Sequence, residues 1–287
     1  MLRAFLGDHM IIDGKKVAKE LREEIKLKID GLKRKPKLVV VLVGENPASQ
    51  VYVRMKAQAC AEVGMLSEIM RLDATIEEKT LLDVIQKLNT DDDVDGILVQ
   101  LPLPKQINEQ TIIVAVSPEK DVDGFHPLNI GKLVLGQEGT RPCTPRGVMK
   151  LFDAYAIDLK GKDVVIIGRS IIVGKPMALL CLERHASVTI CHSRTKDLAA
   201  HTKKADVVIS AVGVKHLVTA DMIKEEAVVI DVGTIREEKK LYGDVDFEHV
   251  QEKCSYITPV PGGVGPMTIA CLLENTLLVY NKRENGS

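Results

Sequence analysis

The chain is expected to fold as an α/β protein of two α/β domains with a cleft between them. Three observations predict this. Short apolar runs alternate with longer segments of helical period along the whole chain. After residue 150 the runs DVVIIGRS, SVTICHS, ADVVISAVG, AVVIDVG and SYITPVPGG follow one another with helical material between most of them. Continuous apolar strands separated by helices point to a parallel sheet covered on both faces. Finally, TRPCTPRG at 140–147 breaks the pattern and reads as a linker into a new domain.

The first domain takes shape from Met10 onward. GKKVAKELREEIKLKIDGLK (14–33) is a charged amphipathic helix in which Val17, Leu21, Ile25 and Ile29 step by four. Pro36 ends it and KLVVVLVG follows as a buried strand. A helix opens near Ser49 and runs to Gly64, a good stop signal. SEIMRLDA is a second strand. TIEEKTLLDVIQKLN (75–89) is a helix whose Thr75 and Glu78 have capping-box spacing. VDGILVQLPLP (94–104) is a third strand, and a weaker helix at 108–116 leads into PEKDVDGFHPLNIGKL. The second domain opens with a helix capped by Thr144, with Pro145 in its first turn. MTIACLLENTLLVYNK is apolar along much of its length and, following the last strand, is expected to cross back onto the first domain. The expected division is therefore 10–143 plus 268–287, and 144–267, with 1–9 a short extension read as an upstream start or an expression remnant.

Composition excludes several function classes. A formal net charge of −1 gives no electrostatic attraction to nucleic acid or anionic membrane, and the absence of Trp argues against a base-stacking surface. The six cysteines form no CxxC pair and the seven histidines no HxxxH or HExxH spacing, so no disulfide framework or metal site is expected. No apolar run reaches membrane-spanning length and the N-terminus is no signal peptide, which points to the cytoplasm.

VVIIGRSIIVGKP reads as strand, glycine turn and helix, the glycines being Gly168 and Gly174. Such a turn suits a phosphate held at a helix N-terminus, although a plain βα turn has the same look. The next strand ends in Cys191, His192, Ser193, Arg194 and Thr195, with no acid to accept from a ribose hydroxyl. Ser193 and Arg194, with Arg169 in the glycine turn, would instead bind a 2′-phosphate, so the Rossmann-like domain is expected to take NADP rather than NAD.

The first domain places polar groups where its strands end. Tyr52 and Lys56 share one helical face, with Ser49 a turn earlier. Gln100 sits in an apolar strand where an amide needs a partner, and Asp123 lies in a glycine-containing turn. Taken singly, Lys56 could be a solvated helix lysine, Tyr52 a packing residue and Asp123 an Asx turn.

Together, IIDGKKVA, VGENPASQVYVRMK, DGILVQLPLP, KDVDGFHPLNIGKL, RPCTPRGV, GRSIIVGKP, VIDVG and ITPVPGGVGPMT resemble, in order, the bifunctional methylenetetrahydrofolate dehydrogenase/methenyltetrahydrofolate cyclohydrolase family, from about Met10 to Tyr280. The resemblance implies NADP-dependent oxidation of 5,10-methylenetetrahydrofolate to the methenyl form, then hydrolysis to 10-formyltetrahydrofolate. It implies catalytic roles for Lys56, Tyr52, Gln100 and Asp123, the last anchoring the pterin. Folate contacts fall on Ser49, Leu101, Pro261, Gly262 and Gly265, and cofactor contacts on Gly168, Arg169, Ser170, Ser193 and Thr234, beside the Arg194 read from the strand tip. It further implies a homodimer and a place in purine, histidine and methionine biosynthesis. DVGTIR departs from the family's usual DVGIN, which bears on Thr234. Rival readings are a dehydrogenase without hydrolase activity, a non-catalytic NADP-binding protein and a hydroxy-acid dehydrogenase. Following formyl product, and cofactor reduction without folate, separates them.

Overall fold

The computed structural model describes residues 10–238 and 240–285; the extension expected at 1–9 lies outside them. In chain order its strands are β1 (Met10–Ile11), β2 (Lys37–Val43), β3 (Leu66–Leu72), β4 (Gly96–Val99), β5 (Asp163–Ile167), β6 (Ser187–Cys191), β7 (Val207–Ser210), β8 (Val228–Asp231), β9 (Ile235–Glu237), β10 (Lys240–Tyr242) and β11 (Tyr256–Ile257). The contacts divide the described residues into two compact units. Ala18–Cys143 with the residues from Ile269 form one, and residues 10–17 with Thr144–Thr268 form the other.

The first unit carries a three-stranded parallel sheet, order β3-β2-β4. All seven residues of β2 except Lys37 are buried, as expected of a central strand covered on both faces. The helix Gly14–Asp30 buries Leu21, Ile25 and Ile29 on its apolar stripe. A cluster of Val39, Val41, Leu81, Ile85, Ile97, Ile107 and Ile112 fills one side of the sheet. The third strand is shorter than the expected 94–104: it ends at Val99, and a cis Leu101–Pro102 peptide begins the exit loop. The capping box expected at Thr75 does not form. Thr75 Oγ1 donates to Asp73 at 2.6 Å, the helix starts at Glu78, and Glu78 accepts from the Asn108 amide 2.6 Å away. The helix thus begins three residues later than expected, which leaves Thr75 in the turn before it. The final helix, Val264–Asn285, buries Leu272, Leu273, Leu277 and Tyr280, and Asn275 within it donates to the Val122 and Arg141 carbonyls at 2.8 Å.

The second unit is a six-stranded sheet, order β1-β11-β8-β7-β5-β6, parallel throughout. Residues 10–17, expected with the first domain, group here because β1 pairs with β11 (Met10 opposite Tyr256) and Gly14 is pressed against the Gly263 carbonyl. From β5 the chain goes to β6 on one side and then to β7 on the other, so the strand order reverses at β5. In open α/β sheets the crevice at such a reversal, outside the carboxyl ends of the strands, is where ligands bind. The hairpin β9–β10 is antiparallel, an element that short polar strands (IRE and KLY) did not signal.

Candidate active site

In the first unit the helix Pro47–Glu62 presents Tyr52 and Lys56 one turn apart. Its start is ordered by Asn46, whose side chain accepts from the Ser49 amide at 3.1 Å, with Pro47 in the first turn. Lys56 is half-buried and its Nζ donates to Gln100 Oε1 at 3.0 Å. Gln100 follows β4 directly, and its Nε2 donates to the Leu101 carbonyl at 2.7 Å. The amide is therefore held from both ends, and its oxygen can only face the lysine. Tyr52 is 41% exposed, so its ring is presented outward rather than packed away. Ser49 is buried beneath this face.

Asp123 lies in the turn after the Lys120–Asp121 segment, which meets β4 through a parallel bridge between Ile97 and Asp121. Its carboxyl lines a small pocket with Leu101, Phe125, Ile97, Val99 and Ile112. Burial among these apolar side chains pushes its pKa up to about 6; the Lys56 charge opposes this and the Asp121 charge adds to it. Lys56 is thus within electrostatic reach of both Gln100 and Asp123. Asp121, not among the site residues expected from the sequence, is buried. Its carboxylate accepts from the Gly124 and His126 amides and from Asn129 Nδ2, at 2.8–3.0 Å, and so fixes the turn that carries Asp123. The spacing of two acids in KDVDG was a signal for this, since an Asp that closes a turn commonly precedes its glycine by two or three residues.

In the second unit Gly168 ends β5 at a φ of +126°, and a Cβ there would stand 2.6 Å from the Ala211 carbonyl oxygen. Only glycine fits so close an approach between the turns after β5 and β7. Ser170 Oγ accepts from the Val173 and Gly174 amides at 3.1 and 3.3 Å. Two of the helix-start amides expected to face a phosphate are therefore capped by a side chain. Arg169, Ser193, Arg194 and Thr234 are all exposed at the ends of β5, β6 and β8. The tip after β6 is a tight turn: Thr195 Oγ1 accepts from the His192 amide at 2.9 Å and His192 Nδ1 from the Arg194 amide at 3.1 Å. Asp197, the first acid beyond the tip, is engaged in capping the helix Leu198–Thr202, where it accepts from the Ala200 amide. Pro261 and Gly262 lie in this unit's loop before the last helix, and Gly265 lies in the first turn of that helix. The Gly262 carbonyl accepts from the Lys15 amide at 3.1 Å, while Gly265 has open space around it. Among the described residues no cluster of three or more His, Cys, Asp or Glu side chains could hold a metal ion, and no helix is long and apolar enough to cross a membrane.

Comparison with known proteins bears on both units. Residues 12–123 match the model of the tetrahydrofolate dehydrogenase/cyclohydrolase catalytic domain, and residues 142–284 match that of the same family's NAD(P)-binding domain. Bifunctional protein FolD 2 of Geobacter metallireducens is 57% identical over 281 residues, 96% of this chain and 99% of the relative. The crystal structure of the bifunctional enzyme FolD, a methylenetetrahydrofolate dehydrogenase/cyclohydrolase from Campylobacter jejuni, superposes with a TM-score of 0.94 at 53% identity, covering 96% of this chain and 99% of that one. A Trypanosoma brucei methylenetetrahydrofolate dehydrogenase-cyclohydrolase, solved with NADP and an inhibitor, gives 0.93 at 37% identity over 96% and 98% of the two chains. With both halves of its sequence matched and relatives this similar along nearly its whole length, the chain belongs to the tetrahydrofolate dehydrogenase/cyclohydrolase family.

Proposed function

We propose that Lys56, oriented by Gln100, is the proton-transfer group of a bifunctional enzyme that oxidises 5,10-methylenetetrahydrofolate with NADP and hydrolyses the methenyl product to 10-formyltetrahydrofolate. The observation that carries this is the 3.0 Å hydrogen bond from Lys56 Nζ to Gln100 Oε1 beside the Asp123 pocket.

The two activities ask different things of the protein. Hydride loss from a carbon between two nitrogens leaves a cation that the nitrogens delocalise, so the task is chiefly one of positioning. NADP, when bound, supplies the hydride acceptor. Hydrolysis needs a proton moved twice: water adds to the methenyl carbon and loses a proton, and one ring nitrogen gains a proton as the ring opens. Lys56 accepts the first and returns it in the second step. Gln100 fixes the amine through a neutral acceptor, which orients it without adding a negative charge that would hold the proton there. Asp123 binds the pterin's amino group and ring N–H as a paired acceptor. Tyr52, on the same helical face as Lys56, completes the folate contacts on this unit together with Ser49 and Leu101.

In the second unit the sheet reversal at β5 and the close-approach glycine Gly168 favour a dinucleotide at that edge. Arg169, Ser193 and Arg194 are free to meet a 2′-phosphate, and the absence of a competing acid at the β6 tip supports NADP over NAD. Ser170 acts by holding the turn, and Thr234 closes the site from the end of β8. The protein works as a cytoplasmic homodimer in purine, histidine and methionine biosynthesis and binds no nucleic acid. The six cysteines, all buried and none in a disulfide, suit a reducing compartment.

Incubating the protein with methylenetetrahydrofolate and each nicotinamide cofactor, with methenyl and formyl products followed separately, tests the reading. Methenyl accumulation without formyl product would leave only a monofunctional dehydrogenase.

A further inference from the structure

The second unit contains two buried carboxylates that the proposed chemistry does not use. Asp231 ends β8 and Asp244 lies just beyond β10; they are 3% and 0% exposed. Among the described residues neither has a cationic partner. Each is satisfied instead by hydrogen-bond donors from separate loops. Asp244 Oδ2 accepts from Ser210 Oγ and from the Val212 amide, both at 2.8 Å, and its Oδ1 accepts from the Val214 amide at 2.9 Å. Asp231 Oδ1 accepts from the Gly233 and Asp244 amides and its Oδ2 from the Val245 amide, all at 2.9 Å. Asp231 is further tied to β11, its amide donating to Thr258 Oγ1 at 2.7 Å.

Two glycines leave room for these acids. A Cβ on Gly243 would stand 1.8 Å from Asp231 Oδ2, and one on Gly233 would stand 2.2 Å from Asp244 Oδ1. Keeping two uncompensated carboxylates in a sheet's interior is costly, and hydrophobic residues would cover the same volume without that cost. Burial raises the Asp231 carboxyl to about 7 even though three amides pull it down. What these bonds do here is fix backbone, since five of the six donors to the two acids are main-chain amides.

The shape held is that of the loops at the carboxyl ends of β7 and β8. The loop after β7 is the one whose Ala211 carbonyl packs on Gly168, at the strand-order reversal. We infer that Asp244 and Asp231 are positioning residues for the dinucleotide, setting the 211–214 and 232–234 backbone that faces it, an inference that rests on the cofactor site proposed above.

Direct titration of NADP into the full-length protein, alongside both steady-state activities, tests it. Asp244→Asn keeps the volume but turns an N–H toward at least one donor. Its expected result is a tenfold or greater rise in the NADP dissociation constant and in KM for NADP. Hydrolysis of methenyltetrahydrofolate without NADP is expected to change less than threefold, and kcat at saturating NADP to fall much less than kcat/KM. Ser210→Ala, a milder change that removes one donor, is expected to raise the dissociation constant about threefold and to lower the melting temperature by a few degrees while the protein stays folded, as the loss of one buried hydrogen bond. NADP affinity within twofold of wild type in folded Ser210→Ala and Asp244→Asn protein overturns the inference. Should Asp244→Asn not fold, Ser210→Ala alone decides. Arg194→Ser is the control for the underlying site: unchanged NADP affinity in that variant counts against the cofactor site itself, whereas weakened affinity there with normal Ser210→Ala binding counts only against the acid pair.

Discussion

Lys56 and Gln100, 44 residues apart in sequence, meet through one hydrogen bond of 3.0 Å, and the Gln100 amide is fixed by a second bond to the Leu101 carbonyl. The acceptor is neutral, so the amine is oriented without being paired to a fixed negative charge. This arrangement separates the two activities in mutants. Lys56→Met is expected to lower the rate of 10-formyl product formation by about 10²–10⁴-fold, the usual range for a lost general acid–base group. Methenyl formation should persist in part. Normal formyl production by the purified variant removes Lys56 from the mechanism.

Gln100→Glu changes only the charge of the acceptor. A carboxylate there binds the ammonium form, so hydrolysis is expected to fall at least tenfold while the helix and strand stay in place. Parallel circular dichroism and product assays check this, and full hydrolase activity in the variant sinks the orienting role.

Asp123→Asn removes a charged acceptor pair and is expected to weaken folate binding roughly 10- to 100-fold, from the worth of hydrogen bonds to charged groups. A pH signature accompanies it. The carboxyl's folded pKa of about 6 lies above its ordinary 3.8. Between those values the folded protein keeps a proton that the unfolded chain has released, so this group makes stability fall as pH rises from about 4 to 6. Denaturant titrations across that window should show the wild-type decline reduced in Asp123→Asn, and an unchanged slope contradicts the burial argument.

Arg194→Ser is expected to raise KM for NADP about tenfold or more and leave KM for NAD nearly unchanged, because only NADP carries the 2′-phosphate that a guanidinium binds. Equal loss with both cofactors would place the arginine elsewhere than at the 2′ position.

Asp95 is fully buried between Arg34 and Arg283, at 2.8 and 2.9 Å, and also accepts from the Lys37 amide. Asp95→Ala leaves both guanidiniums without their shared partner and is expected to cost about 3 kcal/mol of stability, the lower end for breaking a buried pair because Arg34 is partly exposed. A chemical denaturation midpoint within error of wild type would refute it. This pairing was not readable beforehand. Arg34, Asp95 and Arg283 sit in unremarkable polar stretches, and only the packing of the last helix against β4's entrance brings them together.

Local pattern carried the sequence reading a long way. The strands β2, β5, β6, β7 and β8 are legible as apolar runs bounded by glycine, proline or polar residues, and Tyr52 with Lys56 is legible as a four-residue step. Those signals depend on neighbours within one turn or one strand, which the sequence alone determines. The place of β1 at the edge of the larger sheet, the hold of Asp121 on the Asp123 turn, and the Asp231–Asp244 pair were decided only in three dimensions. Each requires strand order and register to be set before the partners can meet. A carboxylate's partners are then backbone amides, which every residue but proline carries and which therefore leave no mark in the sequence.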